Sequence, residues 1–396
     1  MHIAQLSLTN VRSFRRLEVD LTPGLHVVTG PNGSGKSNLL ESIALLATAR
    51  SLRTSNDVEL IAWEALRDDP LPGARLAARV QSRAEGNVQL EVTISARPPL
   101  TPDATVTASR RFRVNGVARR ASDLIGRLRV VLFSAEDLAI IEGAPATRRR
   151  YLDITISQID PGYVRALQRY QRVLQQRNSL LRRIQERRSQ PAELDFWDEE
   201  LAQTGAVLLT ARHRVLRTLH EGARDRYEAL STRAERLEVL HRPGVPPELA
   251  ADLDAAPAEV APRLLAALVE SRRRDALTGT TRYGPHRDDV AFLVGGHPAA
   301  SAASRGELRG MALALRLAEV SLSTEATGDP PVLLLDDVLS ELDAERRQRV
   351  LAAAFEVDQV VITSPDPDRP ARTELSAAHR YRIADGALVP VEGEAR

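Results

Sequence analysis

The chain has 396 residues, enough for two or three domains with separate cores. Hydrophobic residues make up 43% and charged residues 27%, as in a folded water-soluble protein, and a formal net charge of +1 names no partner. Cysteine is absent, which excludes disulfides, thiolate zinc sites and cysteine nucleophiles and suits a reducing compartment.

The first ten residues, MHIAQLSLTN, alternate apolar and polar like a strand and lack the apolar centre of a signal peptide. No run approaches the ~18 apolar residues of a membrane helix, so a cytoplasmic location is expected. Leu25–Thr29 then reads as a buried strand, and Asn38–Ala49 as a helix with Leu39, Leu40, Ile43 and Leu46 on one face. Between them, Gly30-Pro31-Asn32-Gly33-Ser34-Gly35-Lys36-Ser37 fits G-x-x-x-x-G-K-[ST] at every fixed position. A glycine loop between strand and helix curls backbone N–H groups around phosphate oxygens at a helix N-terminus. Lys36 is the only lysine; every other basic side chain among the 54 is arginine. An ammonium is a compact charge that slots between the β- and γ-phosphates, where a planar guanidinium would crowd the space. Ser37 offers a hydroxyl to Mg²⁺.

Arg97-Pro98-Pro99-Leu100-Thr101-Pro102 reads as a loop between strands. Helical spacing dominates the middle of the chain. In 163–188, Leu167, Tyr170, Leu174, Leu181 and Ile184 form a seam interrupted by Arg177. Ser189-Gln190-Pro191 breaks it, and Leu194, Trp197, Leu201, Leu208 and Val215 form a second seam. Two such helices joined by a short turn are expected to pack antiparallel, with the first extending roughly 39 Å. Residues 148–188 hold 11 arginines against Asp153, Asp160 and Glu186. Arg148, Arg149, Arg150, Arg182, Arg183, Arg187 and Arg188 are therefore candidate contacts to a nucleic-acid backbone. Arg272-Arg273-Arg274 is a weaker one, and a solvated helix face is the plain alternative. Aromatics are only 4% of the chain, which argues against base stacking as the main grip. Pro243–Pro247 ends this region, and Ala255–Pro262 reads as an Ala/Pro-rich linker. His286, in Gly284-Pro285-His286-Arg287-Asp288-Asp289-Val290, lacks a second histidine at ligand spacing, so a structural role is expected for it.

Ala303-Ser304-Arg305-Gly306-Glu307-Leu308-Arg309 precedes a helix; Ser304 and Gly306 resemble the ABC-type signature, a second anion site at a helix N-terminus. Alone, the same pattern reads as an ordinary helix N-cap. Pro331–Leu335 is a continuous apolar strand ending in Asp336 and Asp337. Asp336 is expected in the Mg²⁺ shell, and Asp337 is expected to orient or deprotonate the attacking water. Ser340-Glu341-Leu342-Asp343 resembles a D-loop, with Asp343 at the nucleotide, and Gln359–Thr363 reads as another buried strand ending in a polar residue.

These motifs stand at opposite ends of the chain, which implies a split head. The expected fold is α/β: an ABC-type P-loop ATPase head, residues 1–132 and 281–396, with an inserted, mainly helical arm, 133–280, built on an antiparallel hairpin. With the runs LTNVRSF, VVLFSAEDL (130–138), ATRRRYLD (146–153), GPHRDDV (284–290), SRGELR (304–309) and LLLDDVLSELD (333–343), the chain resembles the RecF family, bacterial DNA-repair ATPases related to SMC proteins. The resemblance covers both ends and most of the middle. It implies ATP and Mg²⁺ as cofactors and DNA, RecR and RecO as partners. The activity implied is ATP-dependent DNA binding at single-strand gaps and duplex junctions, aiding recombinase loading and the SOS response. The nucleotide cradle would comprise Gly30, Asn32, Gly33, Ser34, Gly35, Lys36, Ser37 and Asn38, with Thr363 also at the nucleotide and Arg12 reaching the phosphates by the same analogy. Ser304 and Gly306 of a second subunit would cap the γ-phosphate, giving an ATP-dependent homodimer clamp.

Some positions depart from the general ABC pattern. Glutamine commonly stands where Glu307 is, glutamate where Asp337 is, and a histidine near Thr363; the last two forms resemble RecF itself and imply slow hydrolysis. Glu136 and Asp137 occupy the place of the lobe-linking glutamine, with their role open. The rival readings are a transporter-energising ATPase, an ATP-dependent nuclease and a phosphotransferase.

Overall fold

The computed structural model describes residues 1–97, 106–230, 236–338, 347–348, 351–352, 356–365, 378–384 and 386–391. In chain order the first elements are β1 (His2–Val11), β2 (Phe14–Asp20), β3 (Gly24–Thr29), α1 (Lys36–Thr48) and α2 (Trp63–Asp68). β4 (Gly73–Ser82), β5 (Gly86–Arg97), β6 (Thr107–Val114), β7 (Val117–Arg119), α3 (Ala121–Leu124) and β8 (Val130–Phe133) follow. Helices α4 (Leu138–Glu142), α5 (Pro145–Ile159), α6 (Pro161–Gln185) and α7 (Asp195–Leu230) come next. After them run β9 (Leu237–Arg242), α8 (Pro247–Ala250), α9 (Pro257–Thr278), β10 (Asp289–Val294), β11 (His297–Pro298), α10 (Ala299–Ala302) and α11 (Arg305–Thr327). The last strands are β12 (Val332–Asp336), β13 (Gln359–Ser364), β14 (His379–Ala384) and β15 (Ala387–Pro390).

Two compact units result: residues 1–136 with 319–396, and residues 137–318. In the first, an antiparallel sheet runs β2-β1-β4-β5-β6-β7, and a second sheet runs β15-β14-β3-β13-β12-β8. The second sheet is parallel except for the β14–β15 pair. Its central strands read as unbroken apolar runs because both faces are covered. The core contains β1, β4 and β5 residues together with α1 and inward residues of β8, β12 and β13. Helix α1 lies within this core, with 11 of its 13 residues buried, which is why it shows apolar residues on more than one face. Sheet order sets the site: β13 separates β3 from β12, so the glycine loop and the acid-tipped strand open on the same sheet end.

In the second unit, α6 and α7 pack antiparallel through a single 3-10 turn at Pro191–Leu194. Leu167, Tyr170 and Leu181 of the first expected seam are buried, as are Leu194, Leu201, Leu208 and Val215 of the second. Arg177, which interrupts the first seam, is itself fully buried. It donates to Asp198 on α7 at 2.6 Å and to Asp275 on α9 at 2.8 Å, and both carboxylates are buried completely. The unit also holds a small sheet, β11-β10-β9, which helical spacing did not foreshadow. Pairing of β10 with β9 ties residues 289–294 to this unit, and the boundary falls inside α11, so residues 281–318 lie with the helices here.

The Ala255–Pro262 stretch is mostly helix rather than linker, since α9 starts at Pro257. Proline suits a first helical position, and burial of Val260, Leu264 and Leu268 outweighs the bond that Pro262 cannot make.

Candidate nucleotide site

The loop after β3 is shaped by glycine. Gly33 (φ 82°) and Gly35 (φ 106°) adopt left-handed conformations, and a Cβ on Gly35 would lie 2.4 Å from Ser13 Oγ. The chain can therefore turn from β3 into α1 only with glycine at that position. Ser34 Oγ is buried without a hydrogen-bond partner, a polar atom left for a ligand in the loop. Lys36 Nζ donates to Gly30 O at 2.7 Å and Pro31 O at 3.0 Å, so its ammonium rests on the loop's own carbonyls. Burial lowers the Lys36 pKa, and the charges of Asp337 and Asp336 oppose that shift. Asn38 Nδ2 donates to Ser13 Oγ, which braces the helix against the turn after β1. Asn32 is exposed at the tip of the loop.

The acidic strand meets this loop at Ser37, whose hydroxyl donates to Asp336 Oδ1 at 3.1 Å. Thr363 Oγ1 donates to the same oxygen at 2.7 Å and accepts the Asp337 N–H at 3.0 Å. Asp337 holds a left-handed backbone (φ 54°), uncommon for a residue with a Cβ, at the corner where the strand ends. A hydroxyl and a carboxylate thus stand together where a hard cation finds oxygen ligands. Sequence reasoning placed Thr363 at the nucleotide, in the position where a histidine commonly stands. The structure brings it between the two acids.

Arg12 precedes Ser13, which lies against Gly35 and Asn38 of the loop, and it is engaged within the chain. Its guanidinium grips Glu41 of α1 through two bonds, Nε to Oε2 at 3.1 Å and Nη2 to Oε1 at 3.2 Å. Ser51 Oγ also donates to Glu41, so Arg12 is a strut between the first turn and the buried face of α1. Glu41 carried no distinguishing signal, being the one acid of α1 among its polar and apolar residues.

Ser304 and Glu307 form a reciprocal cap at the start of α11: Ser304 N–H donates to Glu307 Oε2 at 2.7 Å, and Glu307 N–H to Ser304 Oγ at 3.3 Å. The glutamate thus completes a capping box. Ser304 is exposed, and its oxygen accepts in this cap, so its O–H can still donate outward. Gly306 is half-buried in the first turn of the same helix. The expected D-loop, including Asp343, lies outside the described residues.

Asp137, whose role was open, is buried and accepts from Arg316 at 2.6 Å, while Arg316 sits 4.9 Å over the Tyr151 ring. Among the described residues, Glu136 makes an exposed pair with Arg53 at 3.7 Å. His286 Nε2–H donates to Thr281 O at 3.1 Å, which leaves Nδ1 to accept from Tyr170 O–H at 2.6 Å. Burial lowers its pKa to about 4, so it is a neutral structural strut.

The arginines divide. Arg148 is buried, paired through Nε and Nη2 with Asp289 and bonded to Gly143 O at 2.6 Å, so it is not free to contact a nucleic-acid backbone. Arg149 donates to Asp288 O at 2.7 Å. Arg150 is exposed, as are Arg182, Arg183, Arg187 and Arg188 at the far end of α6, Arg188 pairing with Glu186. A count of charge could not separate Arg148 from its neighbours, because only its rotational position on α5 turns it inward.

Comparison with known proteins identifies the family. The RecF/RecN/SMC N-terminal domain family matches residues 2–373. The chain is 43% identical to the DNA replication and repair protein RecF of Chloroflexus aurantiacus, over 98% of this chain and 99% of that protein. A solved structure of the recombination mediator protein RecF with ATP, in the RecFOR pathway, aligns with a TM-score of 0.83 at 30% identity, covering 99% of this chain and 98% of that one. The Smc head bound to the C-terminal winged-helix domain of ScpA, at 16% identity and a TM-score of 0.53, shares the fold. Among the described residues no helix is long and apolar enough to cross a membrane. The family and relatives matched give the transporter alternative no support, and the chain belongs to the RecF family of DNA replication and repair proteins, ABC-type ATPases of the RecF/RecN/SMC N-terminal domain class.

Proposed function

We propose that the chain is an ATP-operated DNA clamp of recombinational repair: a slow, DNA-dependent ATPase that closes as a homodimer on gaps and junctions and works with RecR and RecO. The observation that carries the nucleotide reading is the meeting of Ser37, Asp336 and Thr363 beside a glycine loop with an unpartnered Ser34 hydroxyl. Those residues fit ATP with Mg²⁺: Ser37 and Asp336 would hold the ion, and loop N–H groups with Lys36 would hold the phosphates. Such an ion, when bound, would supply neutralisation of phosphate charge. Lys36 would leave the Gly30 and Pro31 carbonyls for phosphate oxygens, and Asp337 would orient or deprotonate water. Ser304 is exposed with its O–H able to donate, which suits a cap supplied to the site of a second subunit, with Gly306 alongside and Asp343 completing the interface. Residues 1–132 and 281–396 would serve as the ATPase head and 133–280 as the arm. Arg150, Arg182, Arg183, Arg187 and Arg188 remain candidate contacts to the DNA backbone, with Arg149 only in part and Arg148 removed.

The test combines sedimentation with DNA binding on gapped, single-stranded and blunt duplex substrates, with and without ATP. The parent chain should dimerise with ATP and prefer gapped DNA. Lys36→Ala should lose both responses, and Ser304→Arg should bind nucleotide without dimerising. Dimerisation of Ser304→Arg like the parent, or equal binding of all DNAs regardless of nucleotide, would overturn the reading.

A further inference from the structure

His213 on α7 and His241 on β9 meet Nδ1 to Nδ1 at 3.4 Å, with ring centroids 5.7 Å apart. The centroids are farther apart than the nitrogens, so the two Nδ1 atoms point toward one another. A carboxylate stands behind each ring. Asp288 Oδ2 is 3.5 Å from His241 Nε2, and Asp254 Oδ1 is 3.7 Å from His213 Nε2. Asp288 is buried and held by Arg212 at 2.8 Å and by the Gly244 N–H at 2.8 Å, so it is fixed as an ion. His241 Nε2 is buried without a hydrogen-bond partner and Asp288 faces it at 3.5 Å; with a proton on each Nε2, each Nδ1 is a bare lone pair.

A proton on one Nδ1 makes the 3.4 Å contact a hydrogen bond; with none there, two lone pairs face each other and draw a cation between them. Two imidazole nitrogens on a tetrahedral ion at about 2.0–2.1 Å stand roughly 3.3 Å apart, close to what is seen. A carboxylate behind each ligating histidine is also the usual outer support of such an ion. No cluster of three or more His, Asp or Glu ligands forms among the described residues, so water would fill the other positions. His213, with 24% of its side chain exposed, leaves a way in, while His241 at 4% is the inner ligand.

We propose that His213 and His241 bind a divalent transition-metal ion of the zinc class through their Nδ1 atoms, oriented by Asp254 and Asp288. The ion joins α7 to β9 within the second unit and is independent of the nucleotide reading. Imidazole ligands select zinc, nickel or copper over magnesium.

The test uses the full chain, stripped with chelator and kept nucleotide-free, titrated with Zn²⁺ against a chromogenic competitor. Co²⁺ absorption serves as an independent report of tetrahedral nitrogen ligation. The parent should take up one ion per chain at this site, with a rise in Tm. His213→Gln should bind at least tenfold more weakly and lose that rise, and Asp254→Asn should weaken binding to a smaller extent. His213 is partly exposed, so its variant stays folded even if His241→Gln does not. Equal uptake by the parent and His213→Gln would overturn the proposal by pointing to the other histidines. So would a parent that binds no ion while NMR shows one proton shared by the pair.

Discussion

Thr363 is the side chain on which the acidic corner of the nucleotide site turns, and Thr363→Val tests that role. The site is 1% exposed, and valine nearly matches threonine in shape, so the change removes a hydroxyl and little else. Two bonds go: the donation to Asp336 at 2.7 Å and the acceptance from the Asp337 N–H at 3.0 Å. A hydrogen bond to a charged group contributes about 1.5–3 kcal/mol and a neutral one about 0.5–1.5, so the pair is worth roughly 2–4.5 kcal/mol. Part of this appears as lower stability and part as looser placement of the two carboxylates. If about half falls on the transition state, turnover drops roughly five- to forty-fold, because about 1.4 kcal/mol is a factor of ten. Lys36 and the loop amides are untouched, so nucleotide affinity should change by less than about threefold, under ~0.7 kcal/mol. Steady-state ATP turnover, equilibrium binding of a fluorescent nucleotide and thermal melting together separate these effects. Thr363→Ser, which keeps the hydroxyl, should recover most of the turnover. Valine turnover within twofold of the parent, with an unchanged Tm, would refute the reasoning.

Arg177→Met removes the cation between Asp198 and Asp275 and should cost about 3–5 kcal/mol, read by urea unfolding, because buried Asp275 is left to the Ser271 hydroxyl and the Arg282 N–H while Asp198 keeps only Arg272. Adding Asp198→Asn and Asp275→Asn should restore much of that loss; a single-variant cost below ~1 kcal/mol would mean that the cluster is not a buried ion network. His286 has a folded-state pKa near 4, below its ordinary 6.5, so the unfolded chain takes up the proton first. Stability that is present above pH 6.5 is then lost as the pH falls toward 4, by roughly 3 kcal/mol from this group. Glutamine can both accept from Tyr170 and donate to Thr281, so His286→Gln should flatten that part of the pH profile, and an unchanged profile would count against it.

The nucleotide site was legible where its parts are short-range. The glycine spacing, the lone lysine and the apolar strand ending in two acids each lie within a dozen residues, and their physical reason is local. What was hidden depends on rotation and distant partners. Helical spacing marked Arg177 as a flaw in an apolar seam, yet its two acids stand 21 and 98 residues away, and no local pattern connects them. Arg148, Arg149 and Arg150 look alike in a charge count, although the pitch of α5 buries one and exposes another. Arg12 and Glu41 are 29 residues apart, and only the return of α1 beneath the first turn makes them a pair. Thr363 shows the same limit inside the site itself. Read alone, it lacks a histidine's basic nitrogen, but a strand placed between two others gives its hydroxyl both acids at once. A residue's chemistry can be read from its type, whereas its role here follows from which strand becomes its neighbour, and in this chain that neighbour is 27 residues earlier at Asp336.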